Sequence, residues 1–212
     1  MAKKNTLLYL DEDLVRMAKR MKVNISELAE NALREKLLPL LSSSDRILFD
    51  IDSYLNELEK LGDCFFLSFP VKKVELKNIG PLDSFSSDFS SGINIIKGPA
   101  GSGKTTLLRS IVRVFGISAP GGTVTLKDGK SRGYIKVLVR EGEGVFRVSR
   151  SGIERDVGSL LLDDPTRMLP SDKAKTFIKK LKGMYPGQII MTMDRDMDIP
   201  NSKVIDISDV LY

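Results

Sequence analysis

Histidine and tryptophan are absent from the 212 residues, and Cys64 is the single cysteine. Without an imidazole the chain has no histidine to move protons or ligate metal, and one thiol closes no internal disulfide and builds no multi-cysteine metal site. Glutamine does not occur before Gln188. No apolar run approaches the roughly 18 residues of a membrane span, and Met1-Ala2-Lys3-Lys4-Asn5 leads into no apolar signal-like stretch. A soluble, cytoplasmic protein with no membrane partner is the expectation. The apolar fraction of 42% is enough for a core, and the net charge is +5. The first 61 residues are close to neutral, so the excess falls beyond them. Much of it lies in Lys127, Lys130, Arg132, Lys136, Arg140, Arg147, Arg150 and Arg155. Such a run is either a patch that attracts phosphate backbones or a solvated hairpin.

The most informative residues are Gly98-Pro99-Ala100-Gly101-Ser102-Gly103-Lys104-Thr105, which read G-x-x-x-x-G-K-[ST] directly after the strand-like Ile93-Asn94-Ile95-Ile96. Glycines at this spacing let successive backbone N–H groups turn onto a phosphate. The lysine then reaches the β/γ oxygens and the threonine hydroxyl meets Mg²⁺. Leu107, Leu108, Ile111, Val114 and Phe115 recur at helical spacing, which places the phosphates at a helix N-terminus, and Gly116 supplies the stop. ATP and Mg²⁺ are the expected ligands, with Gly98, Pro99, Ala100, Gly101, Ser102, Gly103, Lys104, Thr105 and Thr106 as the nucleotide-contacting set.

The first forty residues are organised differently. Asn5-Thr6-Leu7-Leu8-Tyr9-Leu10 reads as a short strand, and Asp11-Glu12-Asp13 caps a helix with Leu14, Met17, Ala18 and Met21 on one face. After the turn at Lys22-Val23-Asn24, Asn24 with Glu27 opens a second helix whose Ile25, Leu28, Ala29, Ala32 and Leu33 share a face until Pro39. One strand and two short helices cannot bury such faces alone, so this module is expected to dimerise. The pattern over residues 3–38 resembles a ribbon-helix-helix domain, the family of many plasmid repressors and antitoxins. That resemblance implies a homodimer whose paired strands enter the major groove of double-stranded DNA. The contacts it implies are Lys3 and Lys4 just before the strand, Asn5, Leu7 and Tyr9 from the strand, and Asn24, Ile25 and Ser26 as a phosphate clamp at the second helix. Leu7 and Tyr9 depart from the polar residues usual there, so base readout is expected to be weak. A ribbon used mainly for dimerisation remains the alternative.

Ser42-Ser43-Ser44-Asp45 breaks the chain, and Ile47, Leu48, Ile51, Leu55, Leu58 and Leu61 describe one further amphipathic helix ending at Gly62. The expected domains are 1–41 for the ribbon module, 42–62 for a helical linker and 63–212 for the nucleotide-binding domain. In the last, Val71 to Leu82 alternates like a strand and breaks at Gly80-Pro81, and further strands are expected at Thr123-Leu126, Tyr134-Val139 and Gly144-Val148. Leu160-Leu161-Leu162-Asp163-Asp164 is an apolar strand ending in two carboxylates, the form of a Walker B motif. Asp163 is expected in the Mg²⁺ shell opposite Thr105, the alternative being two acids that only cap a strand end. Ala174, Phe177, Ile178 and Leu181 mark a helix stopped at Gly183, and Gln188 to Asp194 fits another parallel strand.

The order N-I-G-P-L, then F-S-S-G-I-N-I-I-K-G-P-A-G-S-G-K-T-T-L-L, resembles the start of a Rad50/SMC/ABC-type ATPase head. It implies an α/β P-loop NTPase fold with a mixed, largely parallel sheet and an antiparallel β-lobe, preceded here by the ribbon module. It also gives Lys104 and Asp164 catalytic roles, with Asp164 standing where the family has a water-orienting glutamate. Met193 occupies the place of the family's γ-phosphate-sensing histidine. An L-S-G-G-Q-like signature and a coiled coil are both missing, so the family's nucleotide-sandwich dimer lacks its usual means, and another protein is a candidate to complete the site. The expected function is a DNA-binding ATPase, slow because aspartate is one methylene shorter than glutamate, in which nucleotide state modulates DNA binding. The alternative is an antitoxin-like regulator that holds nucleotide without appreciable turnover.

Overall fold

The computed structural model describes residues 9–118, 124–140, 147–149, 152–154 and 158–208. The chain divides into two compact units, Met1–Arg46 and Ile47–Tyr212.

In the first unit, Asp11 begins α1 (Glu12–Arg20) by accepting the backbone N–H groups of Asp13 and Leu14 at 3.0 and 3.2 Å. Asn24 begins α2 (Ile25–Leu37), its Oδ1 accepting from Glu27 N, while Glu27 Oε2 accepts from the Asn24 side-chain Nδ2. Pro39 cannot continue the helix, and Leu38–Leu40 tightens into a 3₁₀ turn. Neither helix buries a side chain: Leu14 is 63% exposed and Leu28 60%. The expected first strand lies mostly outside the described residues, and Tyr9 and Leu10 belong to no element.

The single helix expected from Ile47 to Leu61 is two. α3 (Ser43–Phe49) stops at Asp50, whose backbone leaves the helical region at φ −133°, ψ 79° and whose carboxylate caps α4 (Ile51–Leu61) by accepting from Ser53 N. Gly62 ends α4 in the left-handed region, at φ 76°. The break lets α4 turn Ile51, Tyr54, Leu55 and Leu58 into the core of the second unit.

That unit continues through β1 (Cys64–Leu67), β2 (Val71–Ile79), β3 (Leu82–Asp88), β4 (Ile93–Lys97), α5 (Lys104–Val114), β5 (Tyr134–Val139), β6 (Arg147–Ser149), β7 (Gly152–Glu154), β8 (Ser159–Leu162), α6 (Ser171–Met184), β9 (Gln188–Met193) and β10 (Ser202–Asp206). The main sheet runs β1-β8-β9-β4-β10, parallel except for β1, which lies antiparallel on β8. A three-stranded antiparallel sheet, β3-β2-β5, and the β6-β7 hairpin complete a mixed α/β fold, as the sequence implied. Strands β1, β3 and β10 carry too little apolar alternation to announce themselves. Of the strand expected at Thr123-Leu126, only a bridge from Leu126 to Ile79 forms among the described residues. Nor is Gly183 the stop of α6: the helix passes through it, and Tyr185, held extended before Pro186, ends it.

Alternation in the central strands divides the core. Leu160, Leu162, Ile189 and Met191 face α4 and α6, whereas Leu161, Ile190 and Ile96 face α5 and the antiparallel sheet. The two sheets are joined by Gln188, which is 2% exposed. Its Oε1 accepts from Val71 N at 2.8 Å and from the Ser159 hydroxyl at 2.5 Å, and its Nε2 donates to Val71 O at 2.8 Å and Ser90 O at 2.6 Å. One side-chain amide thus stands in for a missing rung of β-ladder between β2 and the β8-β9 pair.

Candidate functional site

β4 runs between β9 and the edge strand β10, and at its end residues 98–103 wrap into a loop that opens into α5. Gly103 is the helix N-cap at φ 96°, where an added Cβ would also lie 2.9 Å from Pro81 Cγ. Only glycine combines that conformation with so close a neighbour. The β2-β3 turn at Gly80-Pro81 therefore rests against the loop and the first turn of α5.

Above the loop opens a cleft of about 660 Å³. Among the residues selected from the sequence, Ala100, Gly101, Gly103, Lys104, Thr105, Thr106, Asp163 and Asp164 all line it, although residues 106 and 163 are far apart in the chain. Gly98, Pro99 and Ser102 shape it from behind: the Gly98 and Pro99 carbonyls accept from Lys104 Nζ at 2.7 and 2.9 Å, and Ser102 is buried. Lys104 is itself almost wholly buried and makes an ion pair with Asp194 Oδ1 at 2.8 Å.

The two acids after β8 are fixed by a residue that sequence reasoning missed. Thr192, 1% exposed on β9, donates its hydroxyl to Asp163 Oδ1 at 2.6 Å and accepts the Asp164 backbone N–H at 2.8 Å. Asp164 sits at φ 39°, a left-handed conformation uncommon outside glycine. Its Oδ1 is buried with no hydrogen-bond partner among the described residues. Burial, and secondarily the charges of Asp194 and Asp163, push its carboxyl above the ordinary carboxylate range. Asp194, Thr192, Arg167 and Pro81 also line the cleft, and none of them belonged to the expected set. Arg167 is held by Asp63 Oδ2 at 3.1 Å, and the Asp163 N–H donates to Asp63 O at 2.8 Å, so the turn between α4 and β1 braces both sides of the acids. Met193, by contrast, is 1% exposed in the core beneath α6. The strand's alternation presents Thr192 and Asp194 to the cleft in its place.

An uncharged residue at position 164 is expected to stabilise the free protein at neutral pH. A carboxyl whose pKa is raised by folding contributes no penalty below its ordinary value and its full penalty once pH exceeds the raised value. The thermal midpoint of Asp164→Asn should therefore exceed that of wild type at about pH 7, and the gap should close toward about pH 4. A gap of the opposite sign at neutral pH would show that the carboxylate is stabilised where it lies.

Of the expected DNA contacts, Lys3, Lys4, Asn5 and Leu7 lie outside the described residues, and Tyr9 is 95% exposed. Asn24, Ile25 and Ser26 stand at the exposed or half-exposed start of α2. In the basic run, Lys127 pairs with Asp83 at 2.5 Å, Lys136 approaches Glu75 at 3.8 Å, and Arg140 donates to Phe89 O. These three contacts favour the solvated-hairpin reading for that part of the run.

Residues 73–204 match the family model described as an AAA domain, and the chain belongs to that family. Residues 3–38 match the model of the post-segregation antitoxin CcdA, so an antitoxin-like N-terminal region and an AAA domain stand in one chain. The DNA double-strand break repair Rad50 ATPase of Nanoarchaeum equitans is 33% identical over 122 residues, 54% of this chain and 15% of that protein. The Septu protein PtuA of Bacillus thuringiensis is 42% identical over 81 residues, 38% of this chain and 17% of the relative. The chain thus covers less than a fifth of either relative. Among solved structures, the SMC head domain from Thermotoga maritima is 13% identical at a TM-score of 0.36, covering 59% of this chain and 89% of that one. The recombination mediator protein RecF with ATP is 26% identical at a TM-score of 0.30, covering 36% and 21%.

Proposed function

We propose that the chain binds MgATP in the cleft of its AAA domain and double-stranded DNA through its N-terminal unit, acting as a homodimer whose DNA affinity depends on nucleotide. The observation that carries the nucleotide part is the convergence of Lys104, Thr105, Asp163 and Asp164 on one cleft at the N-terminus of α5. Backbone N–H groups of the loop and the helix dipole favour a phosphate chain there. In this reading Lys104 meets the β/γ oxygens, while the Thr105 hydroxyl and Asp163 hold Mg²⁺, the donor set a hard cation requires. Bound Mg²⁺ would draw charge from the phosphate oxygens as the bond to the leaving group weakens. Asp164, which lines the cleft beside Asp163, would orient the attacking water. Turnover is slow, because aspartate at 164 is one methylene shorter than the glutamate of the resembled heads and because Met193 lies in the core and offers no polar group to the γ-phosphate. A further protein is the natural source of the groups this chain does not supply.

The DNA part rests on the antitoxin-like match and on α1 and α2, whose exposed apolar faces suit a second copy of this unit. The first backbone N–H groups of α2, at Ile25 and Ser26, precede any helical hydrogen bond and are available to a DNA phosphate. The name of the Rad50 relative, a DNA double-strand break repair ATPase, points the same way. A labelled duplex titrated with the full chain, with and without saturating MgATP, tests the coupling. The expected result is a salt-dependent affinity that changes at least threefold with nucleotide, about 0.7 kcal/mol of coupling. Equal affinities with nucleotide bound would remove the coupling.

A further inference from the structure

The Lys104 ammonium has three N–H donors, and the chain itself engages all three. The partners are Gly98 O at 2.7 Å, Pro99 O at 2.9 Å and Asp194 Oδ1 at 2.8 Å. A phosphate oxygen therefore reaches Lys104 only by displacing one of them. The two carbonyls belong to backbone that has little room to move. Pro99 O also receives the Ser102 N–H at 3.1 Å, and an added Cβ at Gly98 would lie 2.5 Å from Ser102 Oγ and 2.9 Å from Ile207 Cγ1. Asp194 is different: it is a side chain just beyond the end of β9, and 60% exposed. Rotation about its χ angles releases Lys104 and delivers the carboxylate to water.

We infer that Asp194 sets nucleotide affinity, its carboxylate standing on Lys104 in the place of a phosphate oxygen and leaving when the phosphate chain arrives. The inference rests on the nucleotide reading above and assigns a role to a residue that reading does not use. Displacement costs the Lys104 ion pair. It also leaves a third carboxylate near the phosphates, beside Asp163 and Asp164, which like charges oppose. Asp194 thus weakens binding.

The test is a calorimetric titration of the full-length protein with MgATP, and separately with Mg-tripolyphosphate, for wild type, Asp194→Asn and Asp194→Ala. Both variants should bind about five- to tenfold more tightly than wild type, with the gap narrowing as salt is raised. A second variant guards against a local distortion caused by the asparagine amide. If wild type and both variants saturate with equal affinity, or the variants bind more weakly, the inference is overturned and the nucleotide reading stands. If no form binds either ligand while circular dichroism shows each folded, both fall together.

Discussion

Replacing Lys104 with alanine is expected to lower MgATP affinity about 100-fold, roughly 2.7 kcal/mol, the scale of a charge-assisted hydrogen bond in a water-poor site. The ammonium is almost buried and sits at the mouth of α5, where no other cation of the described residues shares its place between the loop carbonyls and the cleft. The free protein should tolerate the change, because the partners left behind are two loop carbonyls and a largely exposed carboxylate. Calorimetry on Lys104→Ala beside wild type checks the loss, and a thermal scan checks the fold. The sign is opposite to that for the Asp194 variants, so a general loosening of the loop cannot account for both results. An alanine variant with wild-type affinity would remove Lys104 from the site.

Gln188→Leu should destabilise the fold more than any of the substitutions in the cleft. The leucine would remove four hydrogen bonds from a buried joint. The Val71 N–H keeps Ser159 Oγ at 3.3 Å, the Ser159 hydroxyl keeps Phe69 O at 3.0 Å and Ser90 O keeps Asn94 Nδ2 at 3.0 Å, whereas the Val71 carbonyl loses its side-chain donor. At about 1–3 kcal/mol for a buried group left unsatisfied, and about 0.5–1 kcal/mol for each further hydrogen bond lost by a group that keeps another partner, the expected loss is about 2–4 kcal/mol. In a chain of this size that lowers the thermal midpoint by about 10 °C. Gln188→Glu sharpens the test. It keeps the shape but turns a donor into an acceptor, facing the Val71 and Ser90 carbonyls with a carboxylate oxygen. It should destabilise as much as leucine, whereas a role limited to filling space would make glutamate the milder change.

Gln188 also marks where sequence reasoning stops. Its four partner groups and its own position join residues 71, 90, 159 and 188, and no local periodicity relates those positions. Elements with strong periodicity or explicit caps are legible: the glycine-rich loop between β4 and α5, the acidic and asparagine caps of α1 and α2, and the apolar run of β8. Their signals are carried by neighbouring residues. Strands β1, β3 and β10 are not legible, because a short edge strand or a serine-rich hairpin return gains its identity from the strand it pairs with. Asp50 hides for another reason. It lies between two apolar repeats that stay in phase as a single helix, and only tertiary packing shows that the chain breaks there to place α4 on the sheet.

The candidate site follows the same division. The loop and the two acids are found because their spacing is chemical as well as local. Thr192 and Asp194 escape because likeness to a histidine in related heads directs attention to Met193, whereas the strand's alternation sends that side chain into the core. Phasing β9 from Ile189 and Met191 as core-facing would turn residues 192 and 194 toward the cleft.

The central claim is that the loop, Lys104 and the acids after β8 together receive the phosphates of a Mg-nucleotide. Calorimetric titration of the folded wild-type chain with MgATP tests it most directly. A saturating exothermic or endothermic transition that disappears in Lys104→Ala is the predicted result. A titration that shows no saturation with MgATP or MgGTP, on protein whose circular dichroism and thermal unfolding are those of a folded α/β domain, would contradict it.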